Sequence, residues 1–116
     1  MARIFVIDDD PVVGESVRRM LALDGHQVEM AVSGEQALAL FEVGKFNLIL
    51  TDYQMPNMKG DTLATAIKAL APHQPIGMFT GYADRPLSGV DLVIGKPFGL
   101  AQLRKAVTKL LTSLQD

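Results

Sequence analysis

The sequence contains no cysteine and no tryptophan. Without cysteine there is no disulfide scaffold, no thiolate zinc site and no cysteine nucleophile. The two histidines, His26 and His73, stand far apart in the chain, which argues against a multi-histidine metal site. No apolar run reaches the ~18 residues that a membrane span needs. Met1-Ala2-Arg3 opens without the apolar stretch of a signal peptide. Basic excess is also missing: 11 Lys and Arg stand against 13 Asp and Glu, for a net charge of −2, which argues against nucleic acid as a direct partner. These absences predict one cytoplasmic domain over residues 1–116, with no membrane insertion.

What is present suffices for a core. Hydrophobic residues make up 48% of the chain and charged ones 21%, a balance that needs no staples and argues against disorder. Residues 3–7, Arg-Ile-Phe-Val-Ile, form a short β-branched run that stops at three consecutive aspartates, Asp8, Asp9 and Asp10. Pro11 suits the first turn of a helix capped by Asp9 or Asp10, with Val13, Val17, Met20 and Leu21 at helical spacing and Gly25 beyond its end. A weaker strand follows over 26–31. Ser33 then opens a helix, with Gln36 in the capping-box position, Ala37, Leu38 and Phe41 as its apolar stripe, and Gly44 closing it. Residues 47–51 are a third strand run ending at Asp52, and 55–60 a loop rich in turn-formers. A helix is predicted over 61–71 with Leu63, Ala66, Ile67 and Leu70 on one side. Strands are predicted over 76–79 and 90–94, and a last helix over 100–114. Strand and helix alternate with short connections, the pattern of an α/β domain with a parallel sheet and helices on both faces.

The polar residues stand where the strands end. Asp8 and Asp9 follow the first strand, Asp52 the third, Thr80 the fourth and Lys96 the fifth. In such sheets ligands bind at the carboxyl ends of the strands. Taken singly, each residue has an ordinary reading: Asp10 as a helix cap, Asp52 as a turn residue ahead of Pro56, Thr80 as a β-former, Lys96 as a solvated lysine. Brought together, three carboxylates repel one another, and a divalent cation relieves that repulsion. Few protein oxygens plus several waters is the style of Mg²⁺. With Lys96 and the Thr80 hydroxyl beside them, the carboxylates suit a phosphoryl group next to a carboxylate nucleophile.

Four motifs carry a resemblance. Ile-Phe-Val-Ile-Asp8-Asp9-Asp10-Pro11, Leu-Ile-Leu-Thr-Asp52-Tyr-Gln-Met-Pro56-Asn-Met-Lys-Gly60, Phe-Thr80-Gly81-Tyr82 and Gly-Lys96-Pro97-Phe98 resemble, in order, the receiver domain of two-component response regulators. The resemblance covers essentially the whole chain. It implies a flavodoxin-like, doubly wound three-layer α/β sandwich with a five-stranded parallel sheet in the order 2-1-3-4-5. It implies Asp52 as phosphoacceptor and Mg²⁺, or Mn²⁺ in its place, as cofactor. The metal would be held by Asp8, Asp9, Asp52 and the backbone carbonyl of Gln54. Thr80 and Lys96 would bond the phosphoryl group, and the Lys96–Pro97 peptide would be cis. The implied function is phosphoacceptor in a phosphorelay. A histidine kinase or histidine phosphotransfer protein would act as donor, and a downstream protein, which the sequence does not identify, would be the target. The domain would catalyse only its own phosphorylation and dephosphorylation, and would be a monomer or weak dimer.

Two departures stand out. Lys96 stands only 96 − 80 = 16 positions after Thr80, and Pro86 and Gly89 lie between them, so the fourth helix of the family pattern is predicted to be shortened. Val93 stands three residues before Lys96, where the family usually carries an aromatic ring; Tyr82 is the candidate substitute. Two other functions compete. A phosphorylation-independent binding module on the same scaffold is opposed by the intact acceptor set. A Mg²⁺-dependent aspartyl phosphatase is opposed by Gln54, which stands where such enzymes place a general acid.

Overall fold

The computed structural model describes residues 1–81 and 88–112. Its elements run β1 (Arg3–Ile7), α1 (Pro11–Leu23), β2 (Gln27–Ala31), α2 (Gly34–Leu40), β3 (Leu48–Asp52), α3 (Gly60–Leu70), β4 (Ile76–Thr80), β5 (Leu92–Gly95) and α4 (Leu100–Thr112). The five strands form one parallel sheet in the order β2-β1-β3-β4-β5. The shortened helix expected after Thr80, and Tyr82 with it, fall on residues 82–87, outside the described residues. The predicted end of the last helix, past Thr112, does too.

The continuous apolar runs became the central strands, because helices cover both faces of the sheet. Every residue of β3 and β4 is buried, whereas edge strand β2 alternates between exposed and half-buried positions until Ala31, which is buried. Side chains of a strand point alternately to opposite faces. Ile4 and Val6 of β1, with Leu48 and Leu50 of β3, pack against Val17 and Leu21 of α1 and Leu103, Val107 and Leu110 of α4. Phe5, Ile7 and Ile49 face the other way, onto Ala37 of α2 and Leu63 and Ile67 of α3. The rings of Phe5 and Phe46 stack at 4.5 Å in that second layer, and those of Phe79 and Phe98 at 4.6 Å in the first.

Local signals placed most helix starts. Asp10 caps α1, its carboxylate accepting from the Val12 N–H at 2.9 Å. Ser33 caps α2 by accepting from the Gln36 N–H at 3.0 Å, and Gln36 Oε1 reaches back to the Val32 N–H at 2.8 Å. Two readings need correction. The second helix ends at Leu40, not at Gly44: Phe41 turns extended (φ −71°, ψ 136°), which drives its ring into the core. Leu70, placed on the buried stripe of α3, is 61% exposed at the helix end, and Ala64 takes the buried position instead.

Candidate functional site

Parallel pairing brings the strand ends to one edge. The β1–β2 ladder runs on through the Asp8 N–H to the Ala31 carbonyl at 3.1 Å. The β4–β5 ladder runs on through the Lys96 N–H to the Thr80 carbonyl at 3.0 Å. Asp52 pairs in register with Phe79, and Thr80 with Gly95. With β3 between β1 and β4, residues 8, 9, 52, 80 and 96 therefore share the carboxyl edge of the sheet.

Three of them meet closely. One carboxylate oxygen from each of Asp8, Asp9 and Asp52 lies within 4.8 Å of the others. Asp8 and Asp52 are buried and Asp9 is exposed. Lys96 Nζ stands 2.8 Å from Asp52 Oδ1, which also accepts from the Tyr53 N–H at 3.0 Å. Asp8 Oδ1 accepts from the Asp10 N–H at 2.9 Å. Burial pushes the Asp8 carboxyl up to about 6; the Asp10 hydrogen bond works against that, and the charge of Asp52 adds to it. Three hard oxygen donors, two buried and one open to water, fit a divalent cation that keeps part of its hydration shell.

The remaining expected residues are placed as follows. Thr80 is buried at the end of β4. Gln54 is exposed at the start of the β3–α3 loop, its side-chain oxygen accepting from Lys59 Nζ at 2.6 Å. The Lys96–Pro97 bond is cis. Val93 pairs with Met78 and is half-buried. His26 accepts the Ala2 N–H on Nδ1 at 3.1 Å.

Gly60 was missed. Its N–H donates to the Tyr53 carbonyl at 2.9 Å, folding the β3–α3 loop back on the end of β3. An ideal Cβ there would strike the Asp52 carbonyl oxygen and lie 2.9 Å from Tyr53 Cα. Asn57 takes φ +70° in the same loop, a conformation asparagine tolerates better than most residues. The run of proline, asparagine and glycine announced a turn here but not how closely it approaches Asp52.

Comparison with known proteins agrees with this arrangement. The model of the response regulator receiver domain matches residues 4–108. Response regulator MprA of Mycolicibacterium vanbaalenii is 32% identical over 115 residues, covering 94% of this chain and 50% of that protein. The chain thus spans about half the length of the curated relatives it matches. Among solved structures, response regulator TrrA from Thermotoga maritima, in complex with Mg²⁺-BeF, is 32% identical with a TM-score of 0.88, covering 96% of this chain and 100% of that one. A CheY-like receiver domain protein from Methanospirillum hungatei is 30% identical with a TM-score of 0.89, covering 99% and 97%. On a match that runs through all five strands and every motif at their carboxyl ends, the chain belongs to the response regulator receiver domain family.

Proposed function

We propose that this domain accepts a phosphoryl group on Asp52 from the phosphohistidine of a histidine kinase or histidine phosphotransfer protein, and that the modification switches its protein contacts. One observation carries the reading: Asp52 is held between two further carboxylates and a lysine 2.8 Å away. Asp52 Oδ1 already accepts from Lys96 and from the Tyr53 N–H, which leaves Oδ2 to attack phosphorus as the bond from phosphorus to the donor imidazole breaks. Lys96 stands beside the group being transferred, and the Thr80 hydroxyl donates to a phosphoryl oxygen once it arrives. Asp8, Asp9, Asp52 and the Gln54 carbonyl would hold Mg²⁺, or Mn²⁺ in its place, which when bound offsets the charge of the phosphoryl oxygens. The carboxylate's single charge becomes roughly two on phosphorylation, enough to bias two nearby conformations through Thr80 and Lys96. Catalysis is confined to the domain's own phosphorylation and dephosphorylation.

The test is incubation with a small acyl-phosphate donor and Mg²⁺, read by intact mass. A phosphate-sized gain is expected, lost with chelator and lost in Asp52→Ala. A folded wild-type protein that gains no mass overturns the reading in favour of a phosphorylation-independent binding module.

A further inference from the structure

We infer that Asp91 is a positioning residue for phosphoryl transfer: it pins the register of β5 so that Lys96 reaches Asp52. The inference rests on the function proposed above. β5 has four residues, lies at the edge of the sheet and, among the described residues, pairs only with β4. Lys96 follows it directly. Because side chains alternate along a strand, a slip of one residue would turn Lys96 to the opposite face. The strand's own pattern resists such a slip poorly. Leu92, Val93 and Ile94 are three consecutive apolar residues, and only Ile94 is buried.

The register is held at the start of the strand instead. The Asp91 N–H donates to the Ile76 carbonyl at 2.8 Å, and Asp91 Oδ2 accepts from the Ile76 N–H at 2.8 Å. Asp91 thus answers the donor and the acceptor of one β4 residue. The same oxygen accepts from Lys68 Nζ of α3 at 2.7 Å, and Lys68 also donates to the Gln74 carbonyl at 2.6 Å. Just before it, Gly89 at φ +76° seats the chain against α3, where an ideal Cβ would lie 2.9 Å from Ala64 C and Thr65 N. A slipped strand would place Val90 or Leu92 opposite Ile76 and would leave Lys68 without its carboxylate. The carboxylates that would hold the metal follow β1 (Asp8 and Asp9) or end β3 (Asp52), so the device acts on Lys96 and not on them.

The experiment compares the wild-type chain with Asp91→Ala, Asp91→Asn and Lys68→Met. Each is measured for Mg²⁺ affinity, for the rate of phosphorylation by an acyl phosphate at saturating Mg²⁺, and for amide hydrogen exchange over residues 92–96. Asp91→Ala is expected to slow phosphorylation roughly tenfold or more, since small misplacements of a reacting group are that costly. Its Mg²⁺ affinity should stay within about twofold of wild type, and its β5 amides should exchange faster. Asp91→Asn, which keeps an acceptor for the Ile76 N–H, should recover most of the rate. An Asp91→Ala protein with wild-type rate and exchange overturns the inference, as does an equal loss of rate and metal affinity. If Asp91→Ala does not fold, Lys68→Met decides: slower phosphorylation with faster β5 exchange supports the pin, and wild-type values in both overturn it. A wild type that takes no phosphoryl group overturns the proposed function, while exchange over β5 still tests the pin.

Discussion

Asp8 is 5% exposed and shares its site with two other carboxylates, and burial is the main reason its carboxyl titrates near 6 instead of 3.8. The sign follows from linkage. The folded protein holds this proton to higher pH than the unfolded chain does, so stability falls as pH rises from about 4 to about 6. Above that range the ionised carboxylate costs on the order of 2–3 kcal/mol in the absence of metal, at ~1.4 kcal/mol per pKa unit. Asp8→Asn removes the ionisation and keeps an oxygen for the Asp10 N–H. In chelator at pH 8 the variant should be more stable than wild type by about 1–3 kcal/mol in urea unfolding. At pH 4, where the wild-type group is already protonated in the fold, the difference should shrink to near zero. A wild type that is the more stable at pH 8 would show that the Asp8 charge is compensated within the protein. Residue types at this site were legible because each stands at the end of an apolar run. The partner of His26 was not, since Ala2 lies 24 residues away in sequence and only strand pairing brings it near.

Elements were legible where chemistry is local. Asp10 and Ser33 announced the starts of α1 and α2 through side chains that bond the backbone two or three residues on. The end of α2 was not, because burial of Phe41 in the core overrides the nearby glycine as a stop signal. Glycines that let elements approach closely were also invisible, because the atom they avoid belongs to another part of the chain. Gly60 and Gly77 allow a graded test. A Cβ on Gly77 would lie 2.9 Å from Leu110 Cδ1 of α4 and from Leu50 Cδ2 of β3, both side-chain ends that can give way. Gly77→Ala should therefore cost about 1–3 kcal/mol, the range of overpacking. Gly60→Ala meets backbone at Asp52 and Tyr53, which cannot swing aside. It should cost more than Gly77→Ala in urea unfolding and should weaken Mg²⁺ binding, which Gly77→Ala should leave unchanged. Equal costs would mean that the β3–α3 loop shifts freely.

At the scale of the molecule, the strand order came from resemblance, because apolar runs carry no label for their neighbours. The register of β5 was hidden for the same reason: Asp91 meets Ile76 and Lys68 across 15 and 23 residues. Charge shows the same gap between list and fold. Asp8, Asp9 and Asp52 contribute three negative charges and Lys96 one positive, so the site sums to −3 + 1 = −2, equal to the net charge of the whole chain. One divalent cation would neutralise it. On the proposed function Lys96 would therefore have two opposed effects, competing with the cation for Asp52 and supporting the phosphoryl group that the cation would also serve. Unit charges ~4 Å apart at a protein surface interact by about 4 kcal/mol before screening, and Lys96 is partly exposed, so only a fraction of that is expected. Lys96→Met should bind Mg²⁺ roughly 3–10-fold more tightly, seen as a larger thermal upshift at equal Mg²⁺. The same variant should accept phosphoryl about 100-fold more slowly by intact mass, the loss typical of removing one charge-stabilising donor. Weaker Mg²⁺ binding in Lys96→Met would instead assign the lysine the task of holding Asp52 in place for the metal.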